Sequence, residues 1–137
     1  WRINGSAVES SAPAQSTLRY LWPAAAPLDL TVMPFQSQVT RGGGWVISMA
    51  VPHAATPDVV ISGDLVGEAP GQKLDDVTVR GLPAVTYAFE GGQAVVWQED
   101  THLYMVSGSR PLEVLLGIAD GLEDIGRATF EQRIQPQ

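Results

Sequence analysis

Apolar and polar residues alternate in three consecutive short runs in the second half of the chain. The runs cover Ala84 to Phe89, Ala94 to Glu99 and His102 to Ser107. A period of two is typical of β-strands with one buried face. Gly91 and Gly92 lie between the first two runs, and glycine allows the positive φ that tight hairpins need. We therefore predict a three-stranded antiparallel meander.

A helical period follows the meander. Its apolar residues recur at offsets of three, four, seven and ten and form one stripe, Leu112, Leu115, Leu116, Ala119 and Leu122. Ser109 is the predicted N-cap, and Pro111 lies in the first turn, where its missing N–H costs nothing. The pattern predicts an amphipathic helix over residues 112–122, packed against a sheet.

Further strand signals precede the meander and are interrupted by prolines and glycines. They cover Leu28 to Val32, Trp45 to Val51, Val59 to Ile61 and Val77 to Arg80. Near the C-terminus, Phe130 and Ile134 are compatible with a last strand or a terminal flap. Strands with one helix near the end indicate the α+β class, as a mainly antiparallel curved sheet with a C-terminal amphipathic helix packed on one face.

The N-terminal residues have a different composition. Residues 4–17 are rich in Ser, Ala, Gly and Pro and lack a periodic apolar signal. We therefore expect a flexible tether over residues 1–17 and a single α+β domain over residues 18–137. Trp1 is not a natural start, so we also expect an upstream signal peptide, anchor or further domain.

Composition excludes several classes of function. The 137 residues carry a formal net charge of -7, with one lysine and scattered arginines. Nucleic acids and anionic membranes bind clustered basic residues, so neither is an expected partner. The chain has no cysteine, which excludes disulfides, thiolate nucleophiles and zinc–cysteine sites.

No pattern of catalytic or metal-binding residues is evident. His53 lies in a loop without a Gly-x-Ser-x-Gly serine elbow, and His102 opens a strand. The acidic pairs Asp75–Asp76 and Glu99–Asp100 lie on strands or turns, where neighbouring side chains point to opposite faces. We predict no catalytic residue, no cofactor and no metal site.

Aromatic residues of the meander are the remaining candidates for a binding surface. Trp97 lies in its middle strand, Tyr104 in the next and Tyr87 in the one before. Tryptophan and tyrosine combine a large apolar area with a polar group and are frequent at binding surfaces. We predict a ligand or partner surface formed by Trp97, Tyr104 and Tyr87.

Four segments of the second half resemble a known type of domain. They are Val77 to Ala84, Val96 to Glu99, Leu103 to Gly108 and the predicted helix from Leu112 to Ala119. Together they are similar to an uncharacterised bacterial extracytoplasmic domain family, whose strands read V-x-G-x-x-A, W-x-E and Y-x-V-x-G before a leucine-rich helix. That family is found at the C-terminus of membrane-anchored anti-sigma factors and in lipoproteins related to lipoprotein-sorting proteins.

The resemblance implies a non-enzymatic extracytoplasmic sensor or interaction domain of a membrane-anchored regulator. Its expected partner is a protein or a small apolar ligand, and its only expected membrane contact is the upstream anchor. The alternative is a lipoprotein or carrier that binds an apolar ligand against a curved sheet. A hydrolase is a third, disfavoured hypothesis, under which replacing His53 or His102 would abolish activity. The oligomeric state stays open.

Overall fold

The part of the chain that the structure describes is mostly antiparallel sheet with two helices, one of them C-terminal. The computed structural model describes residues 18–40, 44–64, 71–99 and 102–135, together with the backbone of residues 2–3 and 6–7. The helices are α1 (Leu112–Asp120) and α2 (Arg127–Ile134). The strands are β1 (Arg2–Ile3), β2 (Ser6–Ala7), β3 (Leu21–Pro23), β4 (Thr31–Val32), β5 (Gln38–Val39), β6 (Trp45–Ala50), β7 (Val59–Gly63), β8 (Gln72–Val79), β9 (Leu82–Phe89), β10 (Gly92–Glu99), β11 (His102–Gly108) and β12 (Leu122–Asp124).

The main sheet has the order β4-β6-β7-β11-β10-β9-β8, and β5 also pairs with β6. Every pairing is antiparallel. The predicted meander is confirmed as β9, β10 and β11, and β8 extends it by one strand. Two small sheets, β1–β2 and β12–β3, stand apart from the main one.

The predicted strand from Leu28 to Val32 is largely a turn. Only Thr31–Val32 forms strand β4, opposite Ala50 and Met49 of β6. The N–H of Leu30 donates to the Pro27 carbonyl at 3.1 Å, which bends the chain just before the strand. Alternation over five residues did not reveal this local turn.

Helix α1 is shorter than the apolar stripe predicts. It begins at Leu112, and its N-cap is Pro111 without a side-chain hydrogen bond, so the prediction of Ser109 as N-cap is wrong. The helix ends at Asp120, and Leu122 instead pairs with Pro23 as part of β12. The side chains of α1 buried in the core are Leu115, Ile118 and Ala119.

The C-terminal residues form a second helix, not the strand or flap considered from the sequence. Gly126 precedes α2 with a φ of 75°, a value that favours glycine. Phe130 is fully buried, and its ring lies 5.1 Å from the Trp45 ring and 5.5 Å from the Tyr20 ring. Helix α2 therefore contributes directly to the core.

Among the described residues, buried apolar side chains form two clusters. The larger joins strand residues such as Ile61, Val95 and Trp97 to the buried residues of α1 and α2. The smaller consists of Val85, Tyr87, Ala94, Val96 and Leu103, with Met105 packed against it. Side chains alternate between the two faces of a sheet, so the clusters lie on opposite faces of the meander.

The predicted tether over residues 1–17 lies outside the described residues, apart from the backbone of β1 and β2. Among the described residues, neither helix is long and apolar enough to cross a lipid bilayer.

Candidate functional site

The three aromatic residues predicted to share a surface do not lie together. Trp97 and Tyr104 are cross-strand partners, and their rings stack at a centroid distance of 5.8 Å and an angle of 22°. They are 0% and 1% exposed within the larger cluster. Tyr87 is 6% exposed and belongs to the smaller cluster on the opposite face. Trp97 and Tyr104 therefore form part of the core, and Tyr87 is separated from them by the sheet.

An extensive polar arrangement surrounds Glu99 at the end of β10. Glu99 lies two residues after Trp97 and so projects from the same face of the strand. Its carboxylate is buried, and Oε2 accepts hydrogen bonds from the Trp97 indole N–H at 2.8 Å and from Arg80 Nε at 2.7 Å. A buried charge needs such partners, because burial removes it from water.

Arg80 connects this carboxylate to the C-terminal elements. It occupies the turn between β8 and β9 with a φ of 53°. Its backbone N–H donates to Asp120 Oδ1 at 2.8 Å, and its guanidinium donates to the carbonyl oxygen of Leu122. One arginine thus links the β8–β9 turn, the end of β10, the end of α1 and the start of β12.

Arg19 approaches the same carboxylate from the N-terminal side. Its Nε lies 3.5 Å from Glu99 Oε1, and its Nη1 lies 3.3 Å from Asp124 Oδ2. Its backbone N–H donates to Tyr104 Oη at 2.9 Å, and its carbonyl accepts from the Trp45 indole N–H at 2.8 Å. We call Arg19, Arg80, Trp97, Glu99 and Asp124 the Glu99 network.

Tyr104 borders the Glu99 network and is its most perturbed titratable neighbour. Burial raises the pKa of Tyr104 to about 12, and the hydrogen bond from the Arg19 backbone only partly opposes this rise. The phenol is therefore protonated at neutral pH and acts as the acceptor for Arg19. It is not poised to transfer a proton near pH 7.

The bonding of the Glu99 network indicates a structural role. Both carboxylate oxygens face cationic partners, and one also accepts from an indole. A general base needs a free lone pair directed at a substrate proton. The network instead connects strands and helix ends that are far apart in sequence.

The two histidines lie at opposite ends of the sheet. His102 opens β11 beside the Tyr104–Gly63 pair, and its Nδ1 is 3.2 Å from Asp64 Oδ2. His53 follows β6 at the end where Ala50 pairs with Thr31. Among the residues that the structure describes, no group of three or more histidines, aspartates and glutamates could hold a metal ion.

An exposed apolar surface lies at the β4–β5 edge of the sheet. Phe35 is 89% exposed on a 3-10 turn, Pro34–Gln36, between β4 and β5. It borders a depression of about 270 Å³. The other lining residues, most of them apolar, are Thr31, Val32, Met33, Pro34, Gln36, Val51, Pro52, His53 and Ala54. We call Phe35 and this depression the Phe35 surface.

Hydrogen bonds hold the turn that carries Phe35. The buried Ser48 hydroxyl donates to the Gln36 carbonyl at 2.8 Å, and the Ser37 hydroxyl donates to the Met33 carbonyl at 2.8 Å. The Gln36 side chain donates to the Ala55 carbonyl at 3.4 Å. The Phe35 ring is therefore exposed to solvent on a backbone that hydrogen bonds hold in place. His53, which has a φ of 70°, also lines the depression.

The sequence alone did not reveal the Glu99 network or the Phe35 surface. The Trp-x-Glu spacing was present, but it does not show that Arg80 and Arg19 meet the carboxylate from 19 and 80 residues away. Phe35 follows Met33-Pro34, and a phenylalanine beside a proline is equally compatible with a buried loop. Its exposure depends on how the turn lies against β6.

Comparisons with known proteins give no assignment: no protein-family model, no curated protein and no solved structure matches the chain.

Proposed function

We propose that the chain is a non-enzymatic extracytoplasmic sensor or interaction domain of a membrane-anchored regulator, similar to the outer domain of an anti-sigma factor. Its scaffold in this proposal is a curved antiparallel sheet with the amphipathic helix α1 packed on one face. The observation that carries the proposal is the Phe35 surface, where an 89% exposed phenylalanine borders a mostly apolar depression. The similarity of the second half to the extracytoplasmic family supplies the location and the kind of protein.

The Phe35 surface suits a protein partner. Interface centres are enriched in aromatic residues and depleted of charge, and the depression has no charged lining residue when His53 is neutral. Its anchored turn reduces the entropy lost on binding. We place the partner surface here, because Trp97 and Tyr104 are buried in the core.

The proposal of a non-enzymatic role draws on the arrangement of the polar residues. Glu99 is engaged by Arg80 and Trp97. His53 and His102 lie at opposite ends of β6 and its neighbouring strands. A triad or a general acid–base pair needs such groups within hydrogen-bond reach of one another.

The apolar-ligand carrier is the second candidate. The Phe35 depression measures about 270 Å³, slightly below the roughly 300–1,000 Å³ typical of small-molecule sites. The large side chains Trp45, Trp97, Tyr104 and Phe130 fill the larger cluster. The protein-partner function is therefore preferred, and the carrier stays a prediction.

A site-specific photo-cross-linker in place of Phe35 tests the partner surface in cells that produce the natural full-length protein. The matched control carries the same group at Leu28, which is fully exposed but does not line the depression. We expect a discrete cross-linked product from position 35 and none from position 28. Equal products from both positions, or none from either, would contradict the Phe35 surface as the partner site.

Location is tested separately by adding protease to spheroplasts of these cells, which have an intact plasma membrane and an opened envelope, and then to lysed cells. An extracytoplasmic domain is digested in both, whereas protection in spheroplasts would contradict the proposed location. In the same cells, Phe35→Asp should change the output of the regulator without lowering the amount of protein, because the residue is too exposed to affect folding. Leu28→Asp is the matched control.

A further inference from the structure

Strand β8 ends the main sheet with an open edge. It is eight residues long, and most of its side chains are exposed. Among the described strands, only β9 pairs with it. The opposite edge is divided into two strands of two residues each, β4 and β5, on either side of a 3-10 turn. An open edge strand has unpaired N–H and C=O groups that another strand can bind.

The turn between β8 and β9 determines which backbone groups point outward. Its two residues, Arg80 and Gly81, have φ values of 53° and 77°, as in a type I′ hairpin turn. Such a turn closes on a hydrogen-bonded pair, here Val79 and Leu82. Hydrogen-bonded and non-hydrogen-bonded pairs alternate along an antiparallel ladder. The N–H and C=O groups of Asp76 and Thr78 therefore point away from β9.

We propose that two copies of this chain associate through antiparallel pairing of their β8 strands about a two-fold axis at Val77. In this register, Thr78 of one copy lies opposite Asp76 of the other, and the reverse pair forms across the axis. Both pairs bring outward-directed groups together and make four N–H···O=C bonds. The proposal concerns the β8 edge and does not depend on the function proposed above.

Side-chain chemistry selects this register. Thr78 and Asp76 are exposed, and a threonine hydroxyl can donate to the carboxylate opposite it. Shifting one strand by two residues in one direction places Asp76 opposite Asp76, a like-charge pair that is destabilising. The opposite shift places Asp76 opposite Arg80, whose backbone N–H already donates to Asp120. Within each copy, Lys73 Nζ lies 3.2 Å from Asp76 Oδ1, which reduces repulsion between the two carboxylates near the axis.

The residues of β8 that would pair also line a groove over the end of the β8–β9 hairpin. The groove has a volume of about 540 Å³ and is lined by Lys73, Asp76, Val77, Thr78, Gly81, Leu82 and Pro83. The β-bulge between Lys73 and Asp76 ends the regular ladder, so pairing is confined to residues 76–78. The contact is therefore smaller than the roughly 1,200 Å² of a standard stable interface, and the dimer is weak.

Disulfide trapping tests the register, because the chain has no cysteine of its own. Two Val77 residues at the axis form a non-hydrogen-bonded pair with Cα atoms about 4.5 Å apart, within the range of about 4.4–6.8 Å that a disulfide spans. We expect Val77→Cys to form a covalent dimer at least about tenfold faster than Gln72→Cys. Gln72 lies on the same strand, five residues from the axis. Equal rates for the two variants would overturn the proposal.

Sedimentation equilibrium of the cysteine-free chain tests the association itself. Thr78→Pro removes the outward N–H and should weaken association at least about tenfold while the fold is retained, since proline is tolerated where an edge N–H faces solvent. Thr78→Val keeps that N–H and should weaken association by no more than about threefold. Added salt should strengthen the dimer, because each copy carries a net charge of -7. A chain that stays monomeric up to about 1 mM, or equal association by both variants, would contradict the proposal.

Discussion

At the scale of single residues, Glu99 shows how one buried charge can connect distant parts of a small domain. Its partners Arg19 and Arg80 come from the N-terminal segment and from the β8–β9 turn. Breaking a buried ion pair by neutralising one partner leaves the other charge without compensation. When Glu99 is neutralised, the charge left without compensation is mainly that of Arg80, because its side chain is only 19% exposed.

Glu99→Gln is expected to lower the free energy of unfolding by about 1.5–3 kcal/mol, because an amide replaces an acceptor that binds charged groups. Urea denaturation measures the change. Glu123→Gln is the control, since Glu123 is exposed on β12, and its effect should lie within about 0.5 kcal/mol. Equal effects of the two variants would show that the Glu99 network contributes little to stability.

Gly63 and Gly117 form a matched pair for a second prediction. A Cβ on Gly63 would lie 2.3 Å from the indole Nε1 of Trp45, whereas a Cβ on Gly117 would meet nothing within 4 Å. Gly63→Ala should therefore destabilise the protein by about 1–3 kcal/mol through overpacking. Gly117→Ala should stabilise it by about 0.5–1 kcal/mol, because alanine is a better helix former. Thermal unfolding followed by circular dichroism distinguishes the opposite signs.

The raised pKa of Tyr104 predicts a loss of stability in alkaline solution. Burial raises its pKa to about 12 from the ordinary value of 10.0. Between these two values the unfolded state releases the phenol proton and the folded state retains it, so the free energy of unfolding falls as pH rises. The contribution of the protonated Tyr104 phenol to the free energy of unfolding is complete below about pH 10 and is lost by about pH 12. Thermal melts across this range should show a steeper decline for the wild type than for Tyr104→Phe.

At the scale of secondary-structure elements, α2 and the β3–β12 pair complete the core. Strand β3 pairs with β12 through Leu21–Asp124, Trp22–Glu123 and Pro23–Leu122. The N–H of Ile125 donates to the Tyr20 carbonyl at 2.9 Å. The segment just after residue 17 is thus held by the C-terminal part of the chain. The ring of Phe130 in α2 also packs against the rings of Tyr20, Trp22 and Trp45.

Phe130→Ala is expected to cost about 3–5 kcal/mol of unfolding free energy, as is typical for a large aromatic removed from a core. Phe35→Ala is the control, because Phe35 is 89% exposed, and it should change stability by less than about 0.5 kcal/mol. Guanidinium denaturation compares the two. A small effect of Phe130→Ala on the free energy of unfolding would mean that α2 contributes little to the stability of the core.

At the scale of the whole molecule, one buried cluster joins the sheet to both helices. Leu115 of α1 and Phe130 of α2 belong to the same cluster as Trp97 of β10. A cluster that joins all the main elements is typical of domains that unfold in one cooperative transition, even where a smaller cluster lies beside it. The ion pairs Arg19–Glu99 and Arg80–Glu99 reinforce this coupling across the chain.

Unfolding followed by far-ultraviolet circular dichroism, which reports the helices and strands, should therefore coincide with unfolding followed by tryptophan fluorescence. Both curves are expected to share one midpoint in urea, because helices and tryptophans lose the same packing together. A helix signal lost at a lower urea concentration than the fluorescence change would contradict a single cooperative core.

The sequence determined the local elements whose signals lie within a few residues. Alternation together with Gly91 and Gly92 was sufficient for the β9–β10–β11 meander, and the spacing of Leu112 and Leu115 was sufficient for α1. These signals reflect backbone conformation and one-sided burial, which depend on near neighbours. Phe130 and Ile134 are spaced by four residues, but two positions were too few to distinguish a helix from a strand.

Only the tertiary structure decided which side chains meet and which remain exposed. Residues 19, 80 and 99 lie together because the end of β10, the β8–β9 turn and the segment just before β3 meet in space. Trp97 and Tyr104 are buried and Phe35 is exposed, although all three are aromatic residues beside strand signals. The physical reason is that burial depends on what covers a residue in space, and sequence periodicity specifies only the side of the element on which it lies.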